Sequence, residues 1–309
     1  MKSVELDKHS IIDGFNRAAH SYDGSACLQR EVAERLLERL TLIKYQPKTI
    51  LDLGAGTGEC SLKLAEMYPQ ANIVAMDIAD EMLQVARQKL VGVTQQQNIL
   101  QKLKTQIFTS HEEKHYSFIC ADAEALPFKN NSIDLIFSSL AIQWCEDLDS
   151  LFRDFQRILS KDGFVLFATF GVDTLKELKQ SWSSVDHYGH VNNFSDLHDI
   201  GDKMLASGFR DPVVDAEFIV VEYEKIIELL KDLKAIGAQN HLAARKKGLM
   251  TRTKLNKMLS NYEHFKLPTG KYPATYEVVY GHAWGRDLEL MSEPQMVGQV
   301  SEQLVHLKK

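Results

Sequence analysis

The spacing of apolar residues changes along the chain, and these changes predict where helices and strands lie. Residues 28–40 repeat apolar side chains at the spacing of one helix face, which predicts a helix near the start. From Thr49 onward, short apolar runs alternate with amphipathic segments. The apolar runs predict strands at 49–53, 72–76, 116–122, 132–140 and 163–170. The amphipathic segments predict helices at 57–67, 80–90 and 148–159.

Strands that alternate with helices in this way are typical of an α/β fold, a parallel sheet with helices on both faces joined by right-handed crossovers. Beyond Gly171 the alternation is less regular. Here the pattern predicts helices at 172–184, 196–206 and 224–236, and strands at 212–223 and 272–284.

The absence of internal repeats and of linker segments predicts the domain organisation. We find no internal repeat and no segment rich in glycine, serine or proline that would separate two domains. We therefore predict a helical cap over residues 1–45 and one sheet domain over residues 46–309. The sheet domain carries helical insertions at about 172–208 and 224–262.

Charge and composition exclude several classes of protein. The 309 residues include 36 Lys and Arg against 42 Asp and Glu, and a net charge of −6 argues against a general nucleic-acid-binding protein. No apolar run approaches the roughly 20 residues that span a bilayer, and the polar start does not resemble a signal peptide. We therefore expect a soluble cytoplasmic protein with no membrane partner. The four cysteines are isolated from one another, which indicates neither a disulfide framework nor a cysteine zinc site.

The clearest local motif is a glycine-rich turn between the first predicted strand and the following helix. It reads Asp52-Leu-Gly54-Ala-Gly56-Thr-Gly58, and glycines at such a turn let the backbone approach a ligand closely. A dinucleotide fingerprint, G-x-G-x-x-G, would need glycine at position 59, where Glu59 stands. A nicotinamide oxidoreductase is therefore disfavoured.

Acidic residues follow the next two predicted strands. Asp77 comes 23 residues after Gly54, where a carboxylate can accept hydrogen bonds from both hydroxyls of a ribose. Asp122 ends the third strand, where it can accept from an adenine amino group. If these glycines and acids served only to close loops, there would be no reason for acids to stand at the ends of successive strands.

With these features, residues 49–170 resemble the S-adenosylmethionine-dependent methyltransferases of the Rossmann-like class. The resemblance implies a seven-stranded sheet, mostly parallel with an antiparallel last strand. It implies that the glycine turn passes the methionine part of the cofactor, while the two acids hold its ribose and adenine. The cofactor-binding residues implied are Asp52, Gly54, Ala55, Gly56, Gly58, Asp77, Ile78, Asp122, Ala123 and Ser138.

A narrower resemblance covers nearly the whole chain. Residues 15–23, 139–144, 168–178, 190–202, 233–240 and 272–284 look like the malonyl-acyl-carrier-protein O-methyltransferases of biotin synthesis. That family implies transfer of the S-adenosylmethionine methyl group to the free carboxylate of a malonyl thioester, which disguises it as an apolar chain end for fatty-acid enzymes. The implied partner is an acyl carrier protein, with malonyl-coenzyme A as a possible alternative.

This reaction would need little from a catalytic base. A carboxyl group with a pKa near 4 is already ionised at pH 7, so no general base is expected. The site must instead exclude water and hold the carboxylate with hydrogen-bond donors. The candidates are Tyr22, Gln143, Trp144, His190 and Asn192, each of which could equally serve only in packing or in capping a loop.

A basic segment stands out in this acidic chain. Between positions 245 and 257 there are six basic residues and no acid, and an acidic carrier protein would dock on such a surface. A solvated helix face explains the segment at least as well. The docking candidates are Arg245, Lys246, Lys247, Arg252 and Lys254.

His111-Glu-Glu-Lys-His115 spells the H-E-x-x-H pattern of zinc metalloproteases. Its histidines share a metal only on a helix, and here the motif lies one residue before a predicted strand. We therefore expect no metal. The interval from 91 to 115 is longer than the family usually has, and its residues 95–106 predict an additional surface helix.

Two other functions stay open. One is methylation of another small molecule on the same scaffold, such as a quinone ring or a different acid, although ring or phenol methylation usually requires a base. The other is a respiratory complex I assembly factor of the same subfamily, acting on a protein. Residues 236–240 and 280–284 look closer to the biotin-pathway enzymes, and no transit segment rich in arginine and serine is seen.

Overall fold

We describe a computed structural model of the chain, which places residues 6–104, 116–243, 245, 248, 250–286 and 304–308. Three helices precede the sheet: α1 (Lys8–Ala18), α2 (Tyr22–Ser25) and α3 (Cys27–Thr41). The central sheet then alternates with helices in the order β1 (Thr49–Leu53), α4 (Glu59–Met67), β2 (Asn72–Asp77), α5 (Asp80–Lys104), β3 (Tyr116–Cys120), β4 (Ile133–Ser139), α6 (Leu148–Ile158) and β5 (Leu159–Phe170).

The second half adds helices and completes the sheet. Its elements are α7 (Lys176–Ser183), α8 (Leu197–Ala206), β6 (Arg210–Tyr223), α9 (Ile226–Ala235), α10 (Arg252–Tyr262), β7 (Tyr272–Trp284) and β8 (Leu304–Lys308). The strands lie in the order β3-β2-β1-β4-β5-β7-β6-β8. Strands β1 to β5 pair in parallel, and β7 is antiparallel to both β5 and β6.

The predicted Rossmann-like sheet with one antiparallel strand is therefore confirmed. Beyond the seven predicted strands, β8 pairs in parallel with the outer side of β6. The sequence around it gave no expectation of a strand, because five residues are too short for a clear alternation. Helix α5 also differs from the prediction, since it continues to Lys104 without a break where a separate surface helix was expected.

Apolar side chains cover both faces of the sheet. On one face, α3 and α4 bury leucines such as Leu36 and Leu64 against Ile50 and Leu135. On the other face, α6 and α8 bury Phe155 and Ile200. Two buried faces are what a parallel sheet requires, and they leave its carboxyl edge open for a site.

Candidate functional site

The glycine-rich turn connects β1 to α4 at the carboxyl edge of the sheet. Gly54, Gly56 and Gly58 all have positive φ angles, of 74°, 53° and 81°. A Cβ at Gly54 would lie 2.1 Å from the Cβ of Ala141, so only glycine allows the turn to pass the segment after β4. This geometry keeps the backbone of the turn exposed to a ligand.

Asp77 is fixed at the end of β2 by two backbone groups. One carboxylate oxygen accepts from the Gly56 N–H and the other from the Ala79 N–H, both at 2.9 Å. Burial raises the pKa of Asp77, and these two hydrogen bonds act in the opposite direction. Each oxygen has a second lone pair, so the carboxylate can still accept from a ligand.

Asp122 lies two residues beyond β3, and it faces a cation from the cap. The Nζ atom of Lys8 on α1 is 2.5 Å from an Asp122 oxygen and also contacts Glu124. Burial lowers the pKa of Lys8, but the two carboxylates outweigh this and raise it. A ligand amino group that binds Asp122 must therefore share that carboxylate with Lys8.

A cleft lies between these residues and the N-terminal helices. Its floor is formed by the turn and strand ends, including Gly54, Gly56, Asp77, Ile78, Asp122 and Ala123. Its roof is apolar, with Ile11 and Phe15 of α1, Tyr22 of α2 and Trp144. The cleft therefore combines acidic acceptors at the sheet edge with a cover that keeps water away.

The cap is held over the cleft from two sides. On α2, Asp23 accepts a hydrogen bond from Thr57 of the glycine turn at 2.5 Å and pairs with Lys89 of α5 at 2.9 Å. On α1, the hydroxyl of Ser10 lies 3.0 Å from Nδ1 of His241, in the segment after α9.

His241 links this segment to the roof of the cleft. Its Nε2 atom lies 2.9 Å from the Gly237 carbonyl, which can only accept, so we assign the neutral tautomer with the proton on Nε2. Burial lowers the pKa of His241, which keeps the ring neutral. The ring packs edge-on against Trp144, with centroids 5.5 Å apart, and Trp144 packs in the same way against Phe15.

Six of the ten implied cofactor residues line the cleft, and four lie behind it. Asp52 is buried and accepts from the Ser61 hydroxyl at 2.5 Å, while the Ser138 hydroxyl donates to the Leu53 carbonyl. Ala55 and Gly58 are buried and do not line the cleft. These four residues support the turn from inside the protein.

Among the substrate-positioning candidates, only Tyr22 and Trp144 line the cleft. The Gln143 amide donates to the Leu140 carbonyl at 2.6 Å, and its oxygen accepts from Thr169. His190 stacks on Trp182 and bonds to Asp186 at 2.8 Å. Asn192 accepts from the His241 N–H. These three side chains do not line the cleft and are hydrogen-bonded within the protein, so their role in positioning the substrate stays a prediction.

Some of the candidates predicted from the sequence cannot be placed relative to the cleft. Lys246, Lys247 and the H-E-x-x-H motif at 111–115 fall outside the described residues. In the part of the chain that is described, no group of three or more His, Cys, Asp and Glu side chains could hold a metal ion. Likewise, none of the described helices is long and apolar enough to cross a membrane.

The sequence was compared with known proteins. A family model described as a methyltransferase domain matches residues 51–167. The malonyl-[acyl-carrier protein] O-methyltransferase of Gallionella capsiferriformans is 45% identical over 290 residues, which are 92% of this chain and 93% of the relative. The protein of that name from Legionella pneumophila is 38% identical over 276 residues, which are 89% of this chain and 90% of the relative.

Solved structures show the same fold at lower identity. The YcgJ protein from Bacillus subtilis matches with a TM-score of 0.53 at 16% identity, over 82% of this chain and 98% of that chain. Phosphoethanolamine N-methyltransferase 2 from Haemonchus contortus, in complex with S-adenosyl-L-methionine, matches with a TM-score of 0.51 at 18% identity. That match covers 88% of this chain and 57% of the other.

Proposed function

The chain belongs to the malonyl-[acyl-carrier protein] O-methyltransferases, and on this premise we propose that it methylates the free carboxylate of a malonyl group on an acyl carrier protein. The methyl donor is S-adenosyl-L-methionine. The observation that carries the proposal is the match of 45% identity across 92% of the chain. The methyltransferase-domain model, over residues 51–167, spans the floor of the cleft from Gly54 to Ala123.

The residues of the cleft fit this donor. Its ribose and adenine offer hydroxyl and amino donors, and the cleft offers the carboxylates of Asp77 and Asp122 at neighbouring strand ends. Met76, Ile78 and Met82 supply apolar surface for the flat adenine ring. The backbone of the turn at Gly54 and Gly56 faces the same space, where it can receive the methionine part.

The bound cofactor supplies a sulfonium-linked methyl group. The protein orients the malonyl carboxylate and excludes water from it. A malonyl carboxylate is ionised at pH 7, so it needs no base to become a nucleophile. The apolar roof formed by Ile11, Phe15 and Trp144 strips water from that carboxylate, which makes it more reactive.

Tyr22 is the proposed donor that orients the carboxylate. Burial, and then the negative charge of Asp77, raise the pKa of Tyr22, so its hydroxyl keeps its proton. Among the described residues, no hydrogen-bond partner occupies that hydroxyl. Tyr22→Phe should lower kcat/KM for the malonyl substrate about tenfold or more, which is the worth of a bond to a charged group. The same change at Tyr45, which bonds to Asp134 on the other edge of the sheet, should leave kcat/KM unchanged.

The acceptor can be tested with labelled methyl donor and a set of loaded carrier proteins. Malonyl-carrier protein should become labelled, and acetyl-carrier protein should not, because it lacks the free carboxylate. Malonyl-coenzyme A should be labelled more slowly, because it offers the same carboxylate without the carrier's protein surface. Equal labelling of acetyl- and malonyl-carrier protein would contradict the proposal.

A further inference from the structure

A basic surface lies beside the cleft, on α10 and the segment that precedes it. This basic patch consists of Arg245, Arg252, Lys254 and Lys257 together with two exposed apolar side chains, Met250 and Tyr188. Met250 is 48% exposed and Tyr188 is 38% exposed. Met250 lines a cavity with Arg245 and Lys254, and the Lys254 ammonium lies 5.9 Å from the Tyr188 ring centre. Tyrosine, methionine and arginine are enriched at protein–protein interfaces.

The four cations of the basic patch differ in whether they are already paired with a carboxylate. Arg252 and Lys257 are both exposed on α10, and neither forms an ion pair with another described residue. Arg245 pairs with Asp7 at 3.1 Å and Lys254 with Asp186 at 2.6 Å. The partly exposed Arg245–Asp7 pair contributes only about 0–1 kcal/mol, so a partner's carboxylate can replace it. The Asp186 carboxylate that pairs with Lys254 is buried and also bonds to His190.

The position of the basic patch relates it to the cleft. Asp7, the partner of Arg245, caps the first turn of α1, and the next residue, Lys8, lines the cleft. Arg245 and Lys254 border a second cavity, together with Asn240. The segment 239–242 connects this cavity to the roof of the cleft, since Gln239 and Asn240 line the cavity and the His241 ring packs on Trp144.

We propose that the basic patch is the docking surface for an acidic face of the acyl carrier protein, so that its malonyl arm enters the cleft past the segment 239–242. This inference rests on the proposed function, in which the substrate is carried on a protein. Charge complementarity indicates the partner's chemistry. The patch holds four cations, of which Arg252 and Lys257 are exposed and two are paired with carboxylates. The docking residues named from the sequence are thereby extended to Lys257, Met250 and Tyr188.

The test combines binding with turnover. The double variant Arg252→Glu with Lys257→Glu should weaken binding of fluorescently labelled malonyl-carrier protein about tenfold or more. Its KM for malonyl-carrier protein should rise to the same extent while kcat stays unchanged. Turnover of malonyl-coenzyme A should not change, because that substrate has no protein surface to dock. Binding by the parent chain should also weaken as salt is added.

Lys129→Glu is the matched control, since Lys129 is exposed in the turn before β4, on the opposite edge of the sheet. Carrier binding that stays unchanged in the double variant, or that falls equally in the control, would overturn the docking proposal. If the parent chain binds the carrier at the basic patch but methylates no malonyl substrate, docking stands and the proposed function fails.

Discussion

Asp77 illustrates how one side chain both builds the site and prepares it for a ligand. Its two oxygens already accept hydrogen bonds from Gly56 and Ala79, so the carboxylate cannot rotate away from the cleft. The same bonds fix the glycine turn against β2. A change at this position should therefore affect cofactor binding more than it affects folding.

Asp77→Asn should raise the Kd for S-adenosyl-L-methionine about tenfold or more, because a hydrogen bond to a charged group contributes about 1.5–3 kcal/mol. Isothermal titration calorimetry measures this directly. Asp134→Asn is the matched control, since Asp134 accepts from the N–H groups of Lys48 and Thr49 at the other edge of the sheet. An equal Kd for both variants and the parent would show that Asp77 is not a cofactor ligand.

Asp52 lies behind the turn, and its charge should make stability depend on pH. Its pKa is raised to about 7. Burial is the main cause, the hydrogen bond from Ser61 lowers the pKa, and the charge of nearby Asp77 raises it. The unfolded value is about 3.9, so the folded state prefers the protonated form. Its contribution to stability is therefore full below about pH 4 and is lost as the pH rises through 7.

Asp52→Asn removes this titration. In the ligand-free protein, raising the pH from 5 to 8 should lower the free energy of unfolding of the parent relative to that of the variant. Urea unfolding at both pH values measures the change, and any constant cost of the amide cancels. A difference between the two proteins that stays the same at both pH values would contradict the assignment.

Several site residues could be predicted from the sequence because their roles are local. Asp77 and Asp122 follow strands, and strand ends converge in any parallel sheet. Lys8 and His241 could not, because their partners lie 114 and 231 positions away along the chain. The sequence also could not show that the Gln143 amide is bonded to the Leu140 carbonyl three residues away.

At the scale of elements, α1 and the segment after α9 meet almost backbone to backbone. A Cβ at Gly14 would lie 3.0 Å from the His241 ring and 3.1 Å from the Gly237 carbonyl. The backbones also join directly, where the Asp7 N–H donates to the His241 carbonyl at 2.8 Å. The cap and this segment should therefore move as one unit over the cleft.

Gly14→Ala should push these two elements apart and lower the free energy of unfolding by about 1–3 kcal/mol, the cost of overpacking. The dissociation of S-adenosyl-L-methionine should become faster, since α1 forms part of the roof. Gly24→Ala is the matched control, because a Cβ at that helical glycine meets nothing within 4 Å. Urea unfolding and stopped-flow measurements separate the two effects, and identical behaviour of both variants would refute the close contact.

The central strands and their helices were predictable because buried parallel strands show as apolar runs with amphipathic helices between them. The sequence predicted helices at 80–90 and 95–106 but could not show that they form one continuous helix, because glycine and β-branched residues at 91–94 have low helix propensity. It also missed β8, whose place depends on pairing with β6 and not on its own pattern.

On the scale of the whole molecule, the first helix and the second insertion close one edge of a sheet that the rest of the chain builds. The net charge of −6 does not reveal this arrangement. Acidic acceptors lie in the cleft, and cations lie in the basic patch beside it. A cofactor with donor groups and a partner with an acidic face are the ligands that suit these two surfaces.

The most direct test of the central claim is the position of the transferred methyl group. After the protein is incubated with S-adenosyl-L-methionine and malonyl-carrier protein, tandem mass spectrometry of the released arm locates the methyl group. We predict a single methyl ester on the malonyl carboxylate, which mild base removes. A methyl group on the carrier's own side chains, or no methylation of the malonyl group at all, would contradict the account.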